Sequence, residues 1–141
     1  MKLVVKRKVF EEILQRCVDG YPYETAGLML GFMAPAGIVE IIPVKNVHQQ
    51  DRRVRYLVDP IEYYNAEKTA EAKGLEVVGV YHSHPDHPPR PSAYDLEYAL
   101  PPWYYLIISV TAGKPLGYGL WRAVEKKGVK SFEEQKFEVV E

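Results

Sequence analysis

Cysteine is almost missing from this chain: Cys17 stands alone among 141 residues, so no disulfide can close within it and nothing points to an oxidising compartment. Long apolar runs are missing as well. No stretch approaches the ~18 residues a membrane-spanning helix needs, and the basic start Met1-Lys2-Leu3-Val4-Val5-Lys6 leads into no signal-like apolar core. Charge of one sign is not in excess either. The 18 Lys and Arg against 19 Asp and Glu leave a formal net charge of −1, with no global field to steer the chain onto nucleic acid or an anionic membrane. These absences lead to the expectation of a soluble, cytoplasmic protein whose partners are neither nucleic acid nor membrane. The 47% apolar and 26% charged residues suffice for one core. No repeat, low-complexity run or linker interrupts them, so residues 1–141 are expected to form a single domain.

Val9, Phe10, Ile13, Leu14, Cys17 and Val18 recur mostly at steps of three and four, an amphipathic helix stopped near Gly20 and Pro22. Residues 28–30 and 38–44 read as two strands, joined by a hairpin loop over 32–37 that is longer than two residues. The polar stretch 48–55, with Arg52, Arg53 and Arg55, reads as a loop running into a short strand over 55–58. Asp59-Pro60-Ile61-Glu62 supplies a cap, a first-position proline and a third-position glutamate, which predicts a helix running to Gly74. Ile61, Tyr64 and Lys68 share one face of it, so it is expected on the outside. Residues 77–81 are nearly all apolar, the pattern of an inner strand covered on both faces. Six of the 11 prolines lie between Pro85 and Pro102, bracketing a short helix from about Ser92 to Leu100. Further strands are predicted over 103–110, over 118–122 after a turn at 113–117, and over 136–140. The expected class is α/β in the broad sense (α+β), a mixed sheet of about six strands flanked by helices.

The sharpest chemistry follows the inner strand: His82-Ser83-His84-Pro85, then Pro91-Ser92-Ala93-Tyr94-Asp95. Residues i and i+2 of an extended chain point the same way, ~6.6 Å apart along the backbone, so the imidazoles of His82 and His84 can converge on one ion. Pro85 holds His84 extended, and Asp95 can enter from the first turn of the following helix as a third, anionic ligand. Two imidazoles and one carboxylate around Zn²⁺ leave a net charge near +1 and an open position, the catalytic pattern for zinc; Fe²⁺ and Mn²⁺ accept the same donors. Each piece also has a plainer reading. A lone H-x-H is more often a polar strand end, and Ser92-x-x-Asp95 is equally a helix-capping motif. Glu24, just ahead of the strand over 28–30, is the acidic candidate for a general base, which the histidine and aspartate set lacks.

Together these residues resemble the JAMM, or MPN-plus, metallopeptidase family, whose signature is an upstream glutamate, then H-[S/T]-H, seven residues, S, two residues and D. The match takes in Glu24, His82-Ser83-His84, residues 85–91, Ser92 and Asp95, with likeness also in Glu24-Thr25-Ala26-Gly27-Leu28-Met29-Leu30-Gly31. The resemblance implies a curved mixed sheet flanked by helices, the cytidine-deaminase-like JAB/MPN domain. It implies His82, His84 and Asp95 as ligands of one Zn²⁺, Glu24 as activator of the water at the fourth position, and Ser92 as stabiliser of the oxyanion. It further implies hydrolysis of an amide or isopeptide bond at the C-terminus of a ubiquitin-like or small sulfur-carrier protein ending in Gly-Gly. A zinc peptidase for small peptides and a non-enzymatic MPN-type interaction module are the alternatives.

Around this centre, Tyr23 and Tyr94 are candidates for shaping a pocket, and Arg52, Arg53 and Arg55 for meeting an acidic partner. The segment 55–58 could take a Gly-Gly tail by strand addition. Trp103, Tyr104, Tyr105 and Trp121 read as sheet packing and Cys17 as buried core, while His48 and His87 read as solvated. Lys114 reads as part of a turn. A homodimer is one way to cover exposed strand edges.

Overall fold

The structure, a computed structural model, describes residues 2–45 and 59–141. His48, the three arginines 52, 53 and 55, and the predicted strand over 55–58 with its docking role lie outside the described residues. The chain opens directly into strand β1 (Leu3–Lys6) and, without a loop, helix α1 (Arg7–Gly20). The hairpin β2 (Ala26–Met33) and β3 (Ala36–Val44) follows, then α2 (Pro60–Ala72), β4 (Glu76–Pro85), the short α3 (Ala93–Glu97) and β5 (Tyr104–Thr111). Strands β6 (Lys114–Lys126), β7 (Val129–Gln135) and β8 (Phe137–Val140) complete it.

The strands form one curved mixed sheet in the order β7-β6-β5-β4-β2-β3-β1-β8. Among the described residues it has eight strands where about six were expected. The two additions were hidden for different reasons: β1 is apolar but only four residues long and runs straight into α1, too short to show a period, while β7 at the sheet edge carries Lys130, Glu133 and Glu134 and packs mainly through Phe132. An edge strand such as β7 needs only one covered face, so its apolar signal is faint. The β2–β3 loop is also shorter than expected, because pairing continues through Phe32↔Gly37 to Met33↔Ala36. Gly37 serves in the sheet rather than in the turn. A Cβ on its neighbour Gly31 would run into the Gly37 carbonyl, so the close approach there demands glycine. Likewise Lys114 starts β6, opposite Thr111, because the turn is only Ala112-Gly113, both at positive φ.

The sheet is covered on both faces. Val9, Ile13 and Cys17 of α1 pack with Met29, Val78, Tyr81, Leu106 and Ile108 on one side. Ala66 and Ala70 of α2 pack with Leu28, Leu30, Val77, Val80 and Tyr105 on the other. Full burial of each such aliphatic side chain contributes ~1.5–3 kcal/mol. Helix α2 rides on the outside as expected, with Ile61 and Tyr64 exposed; alanines let it sit close to the sheet. Its Asp59 caps the Ile61 amide, whereas the Glu62 carboxylate takes the Lys45 amide at the end of β3. No described helix is long and apolar enough to cross a membrane.

Candidate metal centre

Strand β4 does not stop before the histidines but carries them, pairing in parallel with β5 as far as Pro85↔Val110. Alternation along β4 sends Tyr81 to the α1 face and Val80 to the α2 face. His82 and His84 therefore share the α2 face and Ser83 the other. Their rings lie 5.0 Å apart, centroid to centroid.

Asp95 reaches them from α3. The Ser92 side chain accepts from the Asp95 amide at 3.1 Å while Asp95 Oδ2 accepts from the Ser92 amide at 2.8 Å, a reciprocal capping box. The same carboxylate faces both histidines: Oδ1 lies 3.6 Å from His82 Nε2 and Oδ2 lies 3.3 Å from His84 Nε2. Capping and clustering, alternatives in the sequence, are combined in one residue. The candidate ligand atoms of His82, His84 and Asp95 all lie within 4.8 Å of one another. Zinc bonds of ~2.0–2.1 Å at tetrahedral angles require ligand atoms ~3.3–3.5 Å apart, so the donor set fits a zinc ion after small adjustments.

The protonation states of His82 and Asp95 also suit a cation. Burial pushes the His82 imidazolium down to about 4, only partly opposed by Asp95, so this ring is neutral near pH 7. Burial alone would raise the Asp95 carboxyl, but His82 and His84 outweigh it and hold it down at about 2. For His84 burial again works downward, yet the Asp95 hydrogen bond, the Pro88 carbonyl and the charge of Glu24 together leave it above the ordinary histidine value.

The loop from Pro85 to Pro91 is pinned through three successive carbonyls. His84 Nδ1 donates to Pro88 O at 2.9 Å, the Ser109 hydroxyl to His87 O at 2.6 Å and Trp121 Nε1 to Pro89 O at 3.1 Å. Ser109 carried no sequence signal, and Trp121 read as packing alone. Their hydrogen bonds join residues 22 and 32 positions apart, which periodicity does not reveal.

Beside the cluster lies a cavity of about 330 Å³ lined by Glu24, His84, His87, Pro88, Arg90, Ser92 and Asp95. All five site residues from the sequence thus gather around one place: His82, His84 and Asp95 in the cluster, Glu24 and Ser92 with two of them along the cavity wall. Glu24 is buried, 9% exposed. Neither Tyr23 nor Tyr94 is among the lining residues; Tyr23 is exposed and Tyr94 packs on Tyr98. Cys17 is buried, and burial pushes its thiol up to about 12, which removes it as a nucleophile.

A family described as "Prokaryotic homologs of the JAB domain" matches residues 6–124. Over 95 residues the chain is 50% identical to the "Desampylase" of Pyrococcus furiosus, covering 67% of this chain and 64% of that one. Over 97 residues it is 35% identical to the "Probable TtuB-protein conjugate cleaving protease" of Thermus thermophilus, covering 69% and 63%. The match thus spans less than two thirds of the length of these relatives. Among solved structures, protein DSY2949 from Desulfitobacterium hafniense superposes with a TM-score of 0.79 at 29% identity, covering 99% of this chain and 93% of that one. A JAB1/MPN domain protein from Archaeoglobus fulgidus superposes with a TM-score of 0.60 at 22% identity, covering 100% and 98%, and so shares the fold.

Proposed function

The chain belongs to the family of prokaryotic homologues of the JAB domain, and on that premise we propose that it is a zinc-dependent hydrolase. Its bond is an amide or isopeptide at the C-terminus of a ubiquitin-like or sulfur-carrier protein ending in Gly-Gly. The observation that carries this reading is the approach of Asp95 to both His82 and His84 beside a cavity that Glu24 and Ser92 also line. The names of the relatives, a conjugate-cleaving protease and a desampylase, support a protein-conjugate substrate.

His82 and His84 through Nε2 and Asp95 through its carboxylate would hold the ion. When bound, zinc supplies a Lewis acid for the carbonyl and lowers the pKa of a coordinated water toward ~7. Glu24 accepts the proton of the attacking water and later delivers it to the leaving amine. Ser92 Oγ already accepts from the Asp95 amide. A hydroxyl keeps its own proton to donate, and Ser92 gives that proton's hydrogen bond to the oxyanion. No acyl-enzyme forms, because none of these groups acts as a nucleophile toward carbon. Residues 1–141 act as one domain in this reading, in the cytoplasm, and a homodimer remains compatible with it.

The test is a zinc-loaded protein offered a folded carrier with an adduct on its Gly-Gly tail, alongside the isolated tail peptide bearing the same adduct. Release from the folded carrier at much higher kcat/KM supports the protein-conjugate reading. Equal efficiency on the two makes the chain a small-peptide hydrolase, and stoichiometric zinc with firm carrier binding and no turnover makes it an interaction module.

A further inference from the structure

The loop that carries Glu24 is tied to the ligand strand and its immediate continuation at two points, one on the residue between the histidines and one two residues past the second. At one end the Ser83 hydroxyl accepts from the Thr25 amide at 2.8 Å, while the Ser83 amide donates to the Thr25 carbonyl at 2.9 Å. At the other, the Tyr21 hydroxyl lies 3.0 and 2.9 Å from the two carboxylate oxygens of Asp86. Asp86 is itself fixed: its amide donates to the Val110 carbonyl at 2.8 Å, and its Oδ1 also accepts the Ala112 amide at 3.2 Å. Its backbone is left-handed, with φ of 58°, a conformation aspartate tolerates better than most residues. Between the two ties the loop is short and closed, with the Tyr23 amide bonded to the Gly20 carbonyl at 2.9 Å. A Cβ on Gly20 would strike Thr25 Oγ1, so the loop also rests directly on the end of α1.

We propose that Ser83 and the Tyr21–Asp86 pair are positioning residues that hold Glu24 in register with His82 and His84. The segment 82–86 then does two jobs on opposite faces. His82 and His84 point to the cluster, while Ser83 and Asp86 grip the loop bearing the base. Any displacement of the ligand strand carries Glu24 with it, so the distance over which the proton passes stays constant. Ser83 is fully buried. Burying a hydroxyl costs free energy unless it is bonded; here the hydroxyl accepts from the residue next to Glu24. The inference rests on the reading of Glu24 as the base.

The test compares Ser83→Ala, Ser83→Thr and Tyr21→Phe with wild type. The readouts are zinc content, kcat and KM on a carrier adduct, and hydrogen exchange of the Thr25 amide in metal-free protein. A misplaced base costs turnover rather than binding. S83A is therefore expected to bind one zinc and keep its KM while kcat falls about ten- to a hundredfold, and the Thr25 amide should lose its protection. S83T keeps the acceptor and is expected to recover most of the turnover. Y21F needs no buried substitution on the strand, and its kcat should fall in the same manner by a smaller factor. Wild-type kcat in both S83A and Y21F, with the Thr25 amide deprotected in S83A, would overturn the inference and leave the hydrolase reading standing. A zinc-loaded wild type with no turnover on any adduct would instead strike the hydrolase reading. The exchange measurement then reads the clamp alone: loss of Thr25 protection in S83A supports it, and unchanged protection overturns it.

Discussion

His84 Nδ1 donates to the carbonyl of Pro88 at 2.9 Å, and that contact fixes which ring nitrogen faces the cluster. A carbonyl only accepts, so Nδ1 keeps its proton and Nε2 is the nitrogen turned toward Asp95, 3.3 Å away, free to offer its lone pair to a cation once it gives up the proton it shares with that carboxylate. Pro88 is held in turn by its neighbours, whose carbonyls are bound by Ser109 and Trp121. The ligand geometry therefore depends on residues well outside the cluster.

Trp121→Phe keeps the ring and removes the donor to Pro89. Zinc affinity is expected to weaken about tenfold, the lower end of the range for losing such outer hydrogen bonds. Competition titration against a chelator of known affinity measures it; an unchanged constant would show that the carbonyl anchor at Pro89 does not support the site.

Ser92→Ala removes both a helix cap and a proposed oxyanion donor, and two measurements separate them. Loss of the cap should lower unfolding free energy by about 0.5–2 kcal/mol, read from urea denaturation. Loss of the donor should lower kcat about a hundredfold or more. A variant with the stability loss and full turnover would leave Ser92 a structural cap only.

Zinc should stabilise the fold, because the three ligands come from β4 and α3 and meet only in the folded chain. At free zinc a hundred times the dissociation constant the gain is about 2.7 kcal/mol, or a rise in Tm of roughly 5–10 °C for a domain of this size. His84→Ala or Asp95→Ala should abolish the rise. Magnesium should not produce it, since it favours all-oxygen octahedral sites.

Alkaline pH should unfold the protein through two buried groups that are not part of the cluster. Burial holds the Cys17 thiol up at about 12 and the Tyr105 phenol, less its hydrogen bond from Leu100, also at about 12. Both folded values lie above the unfolded ones. The folded chain keeps protons that the unfolded chain releases, and the associated stability is complete below about pH 9 and lost as pH climbs toward 12. Urea midpoints across that window should fall, and more shallowly in Cys17→Val. A midpoint independent of pH would contradict the burial of these groups. In the native protein near neutral pH, Cys17 should resist alkylation until denaturant is added.

Much of the site could be read from the sequence because its signals are local. The i, i+2 pair His82 and His84 and the i, i+3 pair Ser92 and Asp95 each sit within a single element, where backbone geometry alone fixes the facing. The capping pattern at Asp59 was legible for the same reason. Placing Glu24 near them needed a likeness to known sequences, since its loop meets the ligand strand through contacts between residues far apart in the chain, such as Thr25 and Ser83, 58 positions apart. Where the signal was too short, as in the four residues of β1, or thin, as in β7, the strands were not legible, and the sheet was expected two strands smaller. Trp121 illustrates the remaining gap: its strand context is clear, but the carbonyl its indole N–H serves is set by the path of a proline-rich loop on another strand pair.

The most direct test is mass spectrometry of a carrier adduct incubated in ¹⁸O-labelled water with zinc-loaded wild type and, in parallel, with Glu24→Gln. Wild type should release the adduct as a free amine and leave one heavy oxygen on the carrier's terminal carboxylate. E24Q should hold the same zinc and leave the adduct intact. Turnover by E24Q at the wild-type rate, or an intact adduct after incubation with fully zinc-loaded wild type, would contradict the account.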